Sequence, residues 1–167
     1  TPTPTVAAAA GATTPPASGR GGRGGGAGNS AARSLTQALD RPIARVLWMP
    51  DGKSLIVGAN DNERVSLWQQ PLEGEAKKLN TGDVSPNSSF FVDMATSSTG
   101  AIAFAGTAPT RPAELYYLVS PDAPVKRLTS VNDEIASIPL GKSEIVTFTN
   151  DKFEQNAVLT YPPDFDP

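Results

Sequence analysis

The stretch RVLWMPDGKSLIVGA at residues 45–59 places a short apolar run, a Pro-Asp-Gly-Lys tetrad and a second apolar run in line. Pro50 fixes φ, Asp51 can bond the backbone two residues on, and Gly52 accepts φ > 0, a combination that makes a tight turn. Val46, Leu47 and Trp48 on one side and Leu55, Ile56 and Val57 on the other are then the strands of a β-hairpin.

The pattern returns along the chain. Leu35 of RSLT, Leu79 of KKLN and Leu128 of KRLT lie 44 and 49 positions apart, while Gly52, Leu67 and Trp68 recur as Gly100, Leu115 and Tyr116 at a spacing of 48. Periods of about 40 to 50 residues, with about four short strands in each, mark the blades of a β-propeller. One unit is expected to place strands at 45–48, 54–58, 65–69 and 76–79, and the next at 90–95, 101–105, 114–119 and 125–128. Within RVSLWQ, Val65, Leu67 and Gln69 face one side of the strand and Ser66 and Trp68 the other.

The expected fold is all-β: a partial β-propeller of about two full four-stranded blades, an orphan outer strand at RSLT (33–36) and an exit strand pair near the C-terminus. Two blades do not close a ring. The chain is therefore read as a piece of a longer protein or one part of a complex, with the remaining blades in the same or another chain. Its organisation is expected to be a low-complexity insertion or linker at 1–30, blades at 31–130 and exit and linker strands at 131–167.

Composition narrows the chemistry. The 167 residues contain no histidine and no cysteine, which removes a Ser-His-Asp triad, a His base, thiol nucleophiles, disulfides and nearly every zinc site. No catalytic, cofactor or metal residue is expected within the chain. A net charge of −3, without a basic stripe, argues against a nucleic-acid partner. No apolar run approaches the ~18 to 20 residues of a membrane span, so no membrane partner is expected. Nothing in the composition selects a compartment, and an oligomer is compatible with it.

The N-terminal segment TPTPTVAAAAGATTPPASGRGGRGGGAGNS (1–30) has no acid and one branched apolar residue, Val6, and is expected to be disordered. Gly21, Gly22 and Gly24 to Gly26 with Arg20 and Arg23 resemble Arg/Gly-rich RNA-binding or phosphate-binding segments. Yet no strand precedes the glycines and no Lys-Ser/Thr pair follows them.

Other polar and aromatic residues read first as structure. Asp51 and Asp61, or Glu63 and Asp83, are nominal acid pairs, but they sit in expected turns, where Asp is a turn former. Trp48, Trp68, Phe90, Phe91, Tyr116 and Tyr117 are expected to fill the inter-blade core rather than line a ligand channel. Lys77, Lys78, Lys126 and Arg127 read as solvated ends of outer strands, where charge discourages edge pairing. Ser97, Ser98 and Ser143 have no base in reach and read as structural.

After KRLT the blade pattern stops. Residues 144–148 alternate, Asn150 and Asp151 signal a turn, and a partner strand ends at Tyr161 before Pro162 and Pro163 forbid further ladder bonds. The segments WMPDGKSLIV, LWQQPLEGEAKKL and KRLT and the closing SEIVTFTNDKFEQNAVLTYPPDFDP resemble the last blades and the exit of the prolyl oligopeptidase family of serine peptidases, near its acylaminoacyl and dipeptidyl peptidase branches. There a strand E-x-V-x-F, a turn, a second strand and P-x-G/D-F-D-P lead into an α/β-hydrolase domain. This chain has Lys152 where the family turn has Gly, and Asn156 and Ala157 in place of Gly-Trp. The resemblance covers about residues 31–167. It implies a parent enzyme that hydrolyses peptides by acyl transfer, with this segment restricting access to a catalytic domain outside it. The nucleophile elbow G-x-S-x-G does not occur here, so no catalytic residue carries over. A rival of another class is a TolB-like propeller that binds proteins or peptides as a scaffold.

Overall fold

A computed structural model describes residues 32–87 and 92–165. The expectation of disorder over 1–30, the Arg/Gly tract within it, and Phe90 and Phe91 lie outside the described residues.

The Pro-Asp-Gly turn forms as its residues require. Gly52 takes φ 64, its N–H donates to the Met49 carbonyl (3.0 Å), and the Asp51 carboxylate accepts from the Lys53 N–H (2.9 Å). It joins β1 (Ile43–Trp48) to β2 (Ser54–Asp61), and β3 (Arg64–Pro71) and the short β4 (Lys77–Lys78) complete an antiparallel sheet in the order β1-β2-β3-β4. This is the first blade. Leu47 stands opposite Ile56, and Gly58 opposite Leu67.

The second blade is β5 (Ser85–Pro86), β6 (Met94–Thr96), β7 (Ile102–Ala108), β8 (Arg111–Leu118) and β9 (Lys126–Arg127). Of the first strand expected at 90–95, the described residues show a bridge at Val92 and β6. β5, which the sequence did not predict, and β6 both pair with β7, Pro86 opposite Gly106 and Met94 opposite Phe104. The Asp93 N–H donates to the Asn87 carbonyl (3.2 Å). Val92 is fully buried against Gly58 of the first blade.

Alternation gives each blade two faces. Ile56 and Leu67 of the first blade form one cluster with Met94, Ile102, Phe104, Tyr116 and Leu118 of the second, closed by Met49, Leu79, Val84 and Val92. The Phe104 and Tyr116 rings stack at 5.8 Å. Hydroxyls fasten the margins: Ser85 Oγ accepts from the Val65 N–H (3.0 Å), and Thr96 Oγ1 donates to the Trp48 carbonyl (3.3 Å).

The aromatic expectation holds in part. Of the described aromatics only Tyr116 joins the inter-blade cluster; Trp68 is buried and Trp48 60% exposed on the face of the first blade turned away from the second, and Tyr117 is half-buried. The outer-strand cations also differ from free solvated ends. Lys77 pairs with Asp122, Lys78 with Asp61, and Arg127 with Asp133.

Residues 33–36 do not form the orphan strand; they bend into a 3-10 turn at Gln37–Leu39. No strand among the described residues precedes them to supply a ladder. The Arg33 guanidinium donates instead to the Leu72 carbonyl, and the Pro42 carbonyl accepts from the Asn60 N–H (3.1 Å). After β9 come a one-turn helix α1 (Asp133–Ala136) and an isolated antiparallel pair, β10 (Ser143–Asn150) and β11 (Phe153–Thr160). Asp151, at φ 55, makes their turn.

Gly58 is set by Val92: a Cβ built there would lie 2.9 Å from Val92 Cγ2. Gly58→Ala is expected to destabilise the protein by about 1 to 3 kcal/mol, read as a lower urea midpoint at unchanged slope. Val92→Ala in the same chain is expected to recover part of the loss. Strict additivity of the two changes would show that this contact does not restrict the position.

Candidate functional site

Two-residue turns bring polar residues of both blades to one end. Asp61 pairs with Arg64 across Asn62 and Glu63, and Ala108 with Arg111 across Pro109 and Thr110. Asn62 takes φ 57, a conformation that Asn tolerates better than most residues. With the β4–β5 connection and the exit pair, these turns enclose a groove of about 410 Å³. Ala108, Pro109, Ile145 and Val158 are its apolar part, and Glu63, Arg64, Asp83, Ser85, Thr107, Ser143 and Glu144 its polar part.

Most of the charge is neutralised locally. Arg111 Nη2 donates to both oxygens of Asp83 (2.9 Å each), and Arg64 Nη2 donates to the Gly82 carbonyl (3.1 Å). Glu144 accepts from the Tyr161 hydroxyl (2.7 Å) and pairs with Lys142 (3.2 Å). The Tyr161 hydrogen bond, then Lys142, holds the Glu144 carboxyl below its ordinary range; reciprocally, Glu144 raises the Tyr161 phenol. Among the described residues, Glu63 has no such partner.

A second carboxylate anchors the exit. Glu114 is 4% exposed on β8, on the face that carries Tyr116 and Leu118. It accepts from the Thr129 hydroxyl and from the backbone N–H groups of Asn132 (2.7 Å) and Val131 (3.3 Å). Asn132 Nδ2 adds a bond to the Ala113 carbonyl (2.7 Å), and Arg127 binds Asp133 (2.8 Å). The Thr129 hydroxyl first, then the Asn132 and Val131 amides and the Arg127 charge, hold the Glu114 carboxyl below its ordinary value against the opposing effect of burial. The direction in which the chain leaves the second blade is thereby defined.

Of the nominal acid pairs only one comes together. Asp51 serves its turn, while Asp61 is mostly buried and accepts from Arg41 (3.2 Å), Ser66 (3.0 Å) and Lys78. Glu63 and Asp83 do share the groove, where Asp83 is committed to Arg111. Ser143 shares a hydrogen bond with Thr160 (2.8 Å) and Ser97 with Thr99 (2.9 Å), while Ser98 lines a shallow hollow beside Pro121. Among the described residues no set of carboxylates converges as a metal site. Sequence reasoning passed over Glu114, although a carboxylate on the apolar face of strand AELYYL was its signal.

No protein-family model matches the chain, and no curated protein matches it. Among solved structures it is similar to the Pyrococcus horikoshii acylaminoacyl peptidase, at 18% identity and a TM-score of 0.59, over 74% of this chain and 18% of that one. It is also similar to a putative TolB from Agrobacterium tumefaciens, at 20% identity and a TM-score of 0.43, over 72% of this chain and 43% of that one. The chain thus spans less than a fifth of the peptidase it resembles. The shared feature is the fold: stacked propeller blades.

The Glu114 anchor carries a pH dependence. Its folded pKa lies below the ordinary Glu value, so its contribution to stability is complete above the unfolded pKa and is lost as pH falls through the folded one. In an NMR titration the Val131 and Asn132 amide shifts are expected to move with an apparent pKa below about 4.3, the ordinary Glu value. Glu114→Gln is expected to abolish that titration. Amides that titrate unchanged in Glu114→Gln would sink the assignment.

Proposed function

We propose that this chain is the non-catalytic propeller portion of a serine peptidase, which restricts access of peptides to a catalytic domain outside it. The supporting observation is the exit pair. A two-stranded hairpin is at best marginally stable by itself, yet β10–β11 stands apart from both blade sheets. Ile145 and Val158, on one face, line the groove and remain exposed; Val146, Phe148, Phe153 and Leu159 alternate onto the other, where Phe148, Phe153 and Leu159 are exposed as well. A covering domain that follows the hairpin is the arrangement that the resemblance of SEIVTFTN and YPPDFDP to the prolyl oligopeptidase exit implies.

On this reading the segment divides as its sequence suggests: a linker or insertion at 1–30, blades at 31–130, and an exit at 131–167. The catalytic domain supplies the serine nucleophile, its base and the oxyanion hole, and the reaction passes through an acyl-enzyme. This chain supplies walls. Its blades and groove limit what reaches the catalytic domain, its exit hairpin forms part of the interdomain contact, and no residue of it touches the reacting atoms.

The first test is the intact mass of the native polypeptide together with labelling by a fluorophosphonate serine probe. A mass several times 17.4 kDa with labelling is expected, and the 167-residue chain alone should neither label nor hydrolyse peptides. A native mass near 17.4 kDa without labelling would overturn the reading in favour of a binding scaffold. Phe148→Asp distinguishes a covered hairpin from a free one. It is expected to cost about 3 to 5 kcal/mol in the full-length protein, as for an unpaired charge placed in a buried site, and within about 0.5 kcal/mol in the isolated chain.

A further inference from the structure

The two blades meet through unlike faces, and the chain carries an unpaired copy of each. Val46, Trp48 and Trp68 hold the ladder positions in the first blade that Met94, Thr96 and Tyr116 hold in the second. The later three contact the first blade, through the apolar cluster and through the bond from Thr96 to the Trp48 carbonyl. The earlier three lie on the side of the first blade turned away from that contact, where Val46 and Trp48 are exposed. At the other end, Ala95, Ala105 and Leu115 hold the positions of Leu47, Gly58 and Leu67, which receive the second blade. They line an open hollow of about 310 Å³, and Leu115 is half-exposed.

The rim repeats the match in charge. Lys77 of β4 pairs across the blades with Asp122, in the β8–β9 connection. Lys126 holds in β9 the position of Lys77, and Glu73 precedes Lys77 by four residues, as Asp122 precedes Lys126. Lys126 and Glu73 are exposed, and among the described residues neither has an ion-pair partner. Each end of the blade pair therefore carries one half of the contact that its middle shows complete.

We infer that copies of this chain associate head to tail, with the Trp48 face of one copy seated on the alanine face of the next and Lys126 of one paired with Glu73 of the other. The indole and Val46 are bulk without a cover, and the alanine hollow is room without a filling, so joining them restores the close packing of an interior. Both partner faces belong to one sequence, and a second copy satisfies each without any further blade. Such a contact is heterologous and gives a ring where its rotation closes. Propellers take about four to eight blades, so roughly two to four copies of a two-blade unit close one. The inference rests on the blade faces and does not depend on the peptidase reading.

The test uses the full-length native protein with Glu73→Cys and Lys126→Cys made separately and coexpressed, and the unsubstituted protein treated in parallel. A short bismaleimide is expected to give a product of twice the polypeptide mass when both variants are present and none with either alone. In sedimentation equilibrium, Trp48→Ala is expected to raise the Kd of association about thirtyfold, as for a central interface aromatic. Lys126→Glu is expected to raise it about fivefold, with recovery on adding Glu73→Lys. Cross-linking of each variant with itself would show a contact between like faces and overturn the proposal. A native protein that sediments as a single polypeptide, or a mixture that gives no product, would overturn it as well.

Fluorophosphonate labelling of the same samples keeps the two readings apart. Labelling without the mixed product overturns the assembly and leaves the peptidase standing. The mixed product without labelling overturns the peptidase and leaves the assembly standing, and the absence of both overturns both.

Discussion

A four-stranded sheet with apolar side chains on both faces must be covered on both, and the structure depends on how the two blades meet that constraint in each other. The contact is asymmetric. Leu47, Ile56, Gly58 and Leu67 occupy one side of the first blade, and the larger Met94, Ile102, Phe104, Tyr116 and Leu118 stand over Ile56 and Leu67 from the second. Ile56, Leu67, Ile102, Phe104, Leu118 and Val92 are fully buried, and each such side chain contributes about 1.5 to 3 kcal/mol relative to exposure. Gly58 makes the closeness possible, and the Ser85 and Thr96 hydroxyls satisfy backbone groups of the first blade at the margins.

The register shows what the second blade presents on its other side. Ala95 stands opposite Ala103, and Ala105 opposite Leu115, the same ladder positions as Leu47 with Ile56 and Gly58 with Leu67. The two faces are thus equivalent in place and different in bulk. Where the first blade offers Leu, Ile and Gly, the second offers three alanines and a half-exposed Leu115. Each blade also takes all its strands from one continuous stretch of chain, so contact between blades rests on side-chain packing and ion pairs such as Lys77–Asp122.

Much of this was legible because blades repeat. The Pro-Asp-Gly turn, the alternation in RVSLWQ and the recurrence of Leu67 and Trp68 as Leu115 and Tyr116 located both sheets. The constant spacing also misled. Six residues separate Trp48 from its partner Leu55, but five separate Thr96 from Ile102, so a spacing of 48 puts the second strand of the later blade one residue out and on the wrong face. β5 escaped detection because Pro86 lacks a ladder donor and demotes any strand pattern that contains it. The groove was illegible for another reason. It forms where turns of different blades converge, so Glu63, Arg64, Ser85 and Thr107 become neighbours only through inter-blade packing.

Two carboxylates hold the ends of this unit by a force different from the one that holds its middle. Asp61 ties Arg41, before the first strand, and Lys78, in the outer strand, to the end of β2. Glu114 ties Val131 and Asn132, which lead away, to β8. Burial alone would raise the Asp61 carboxyl, but bonds from Lys78, Ser66 and Arg41 outweigh it, so both acids ionise below their ordinary values. Both fastenings are therefore complete above the ordinary carboxyl range and weaken together as pH falls through the lowered pKa values. The inter-blade cluster, built of apolar contacts, has no such dependence. Acid thus loosens the entry and the exit of this unit, and the element freed on the exit side is the hairpin with exposed apolar residues.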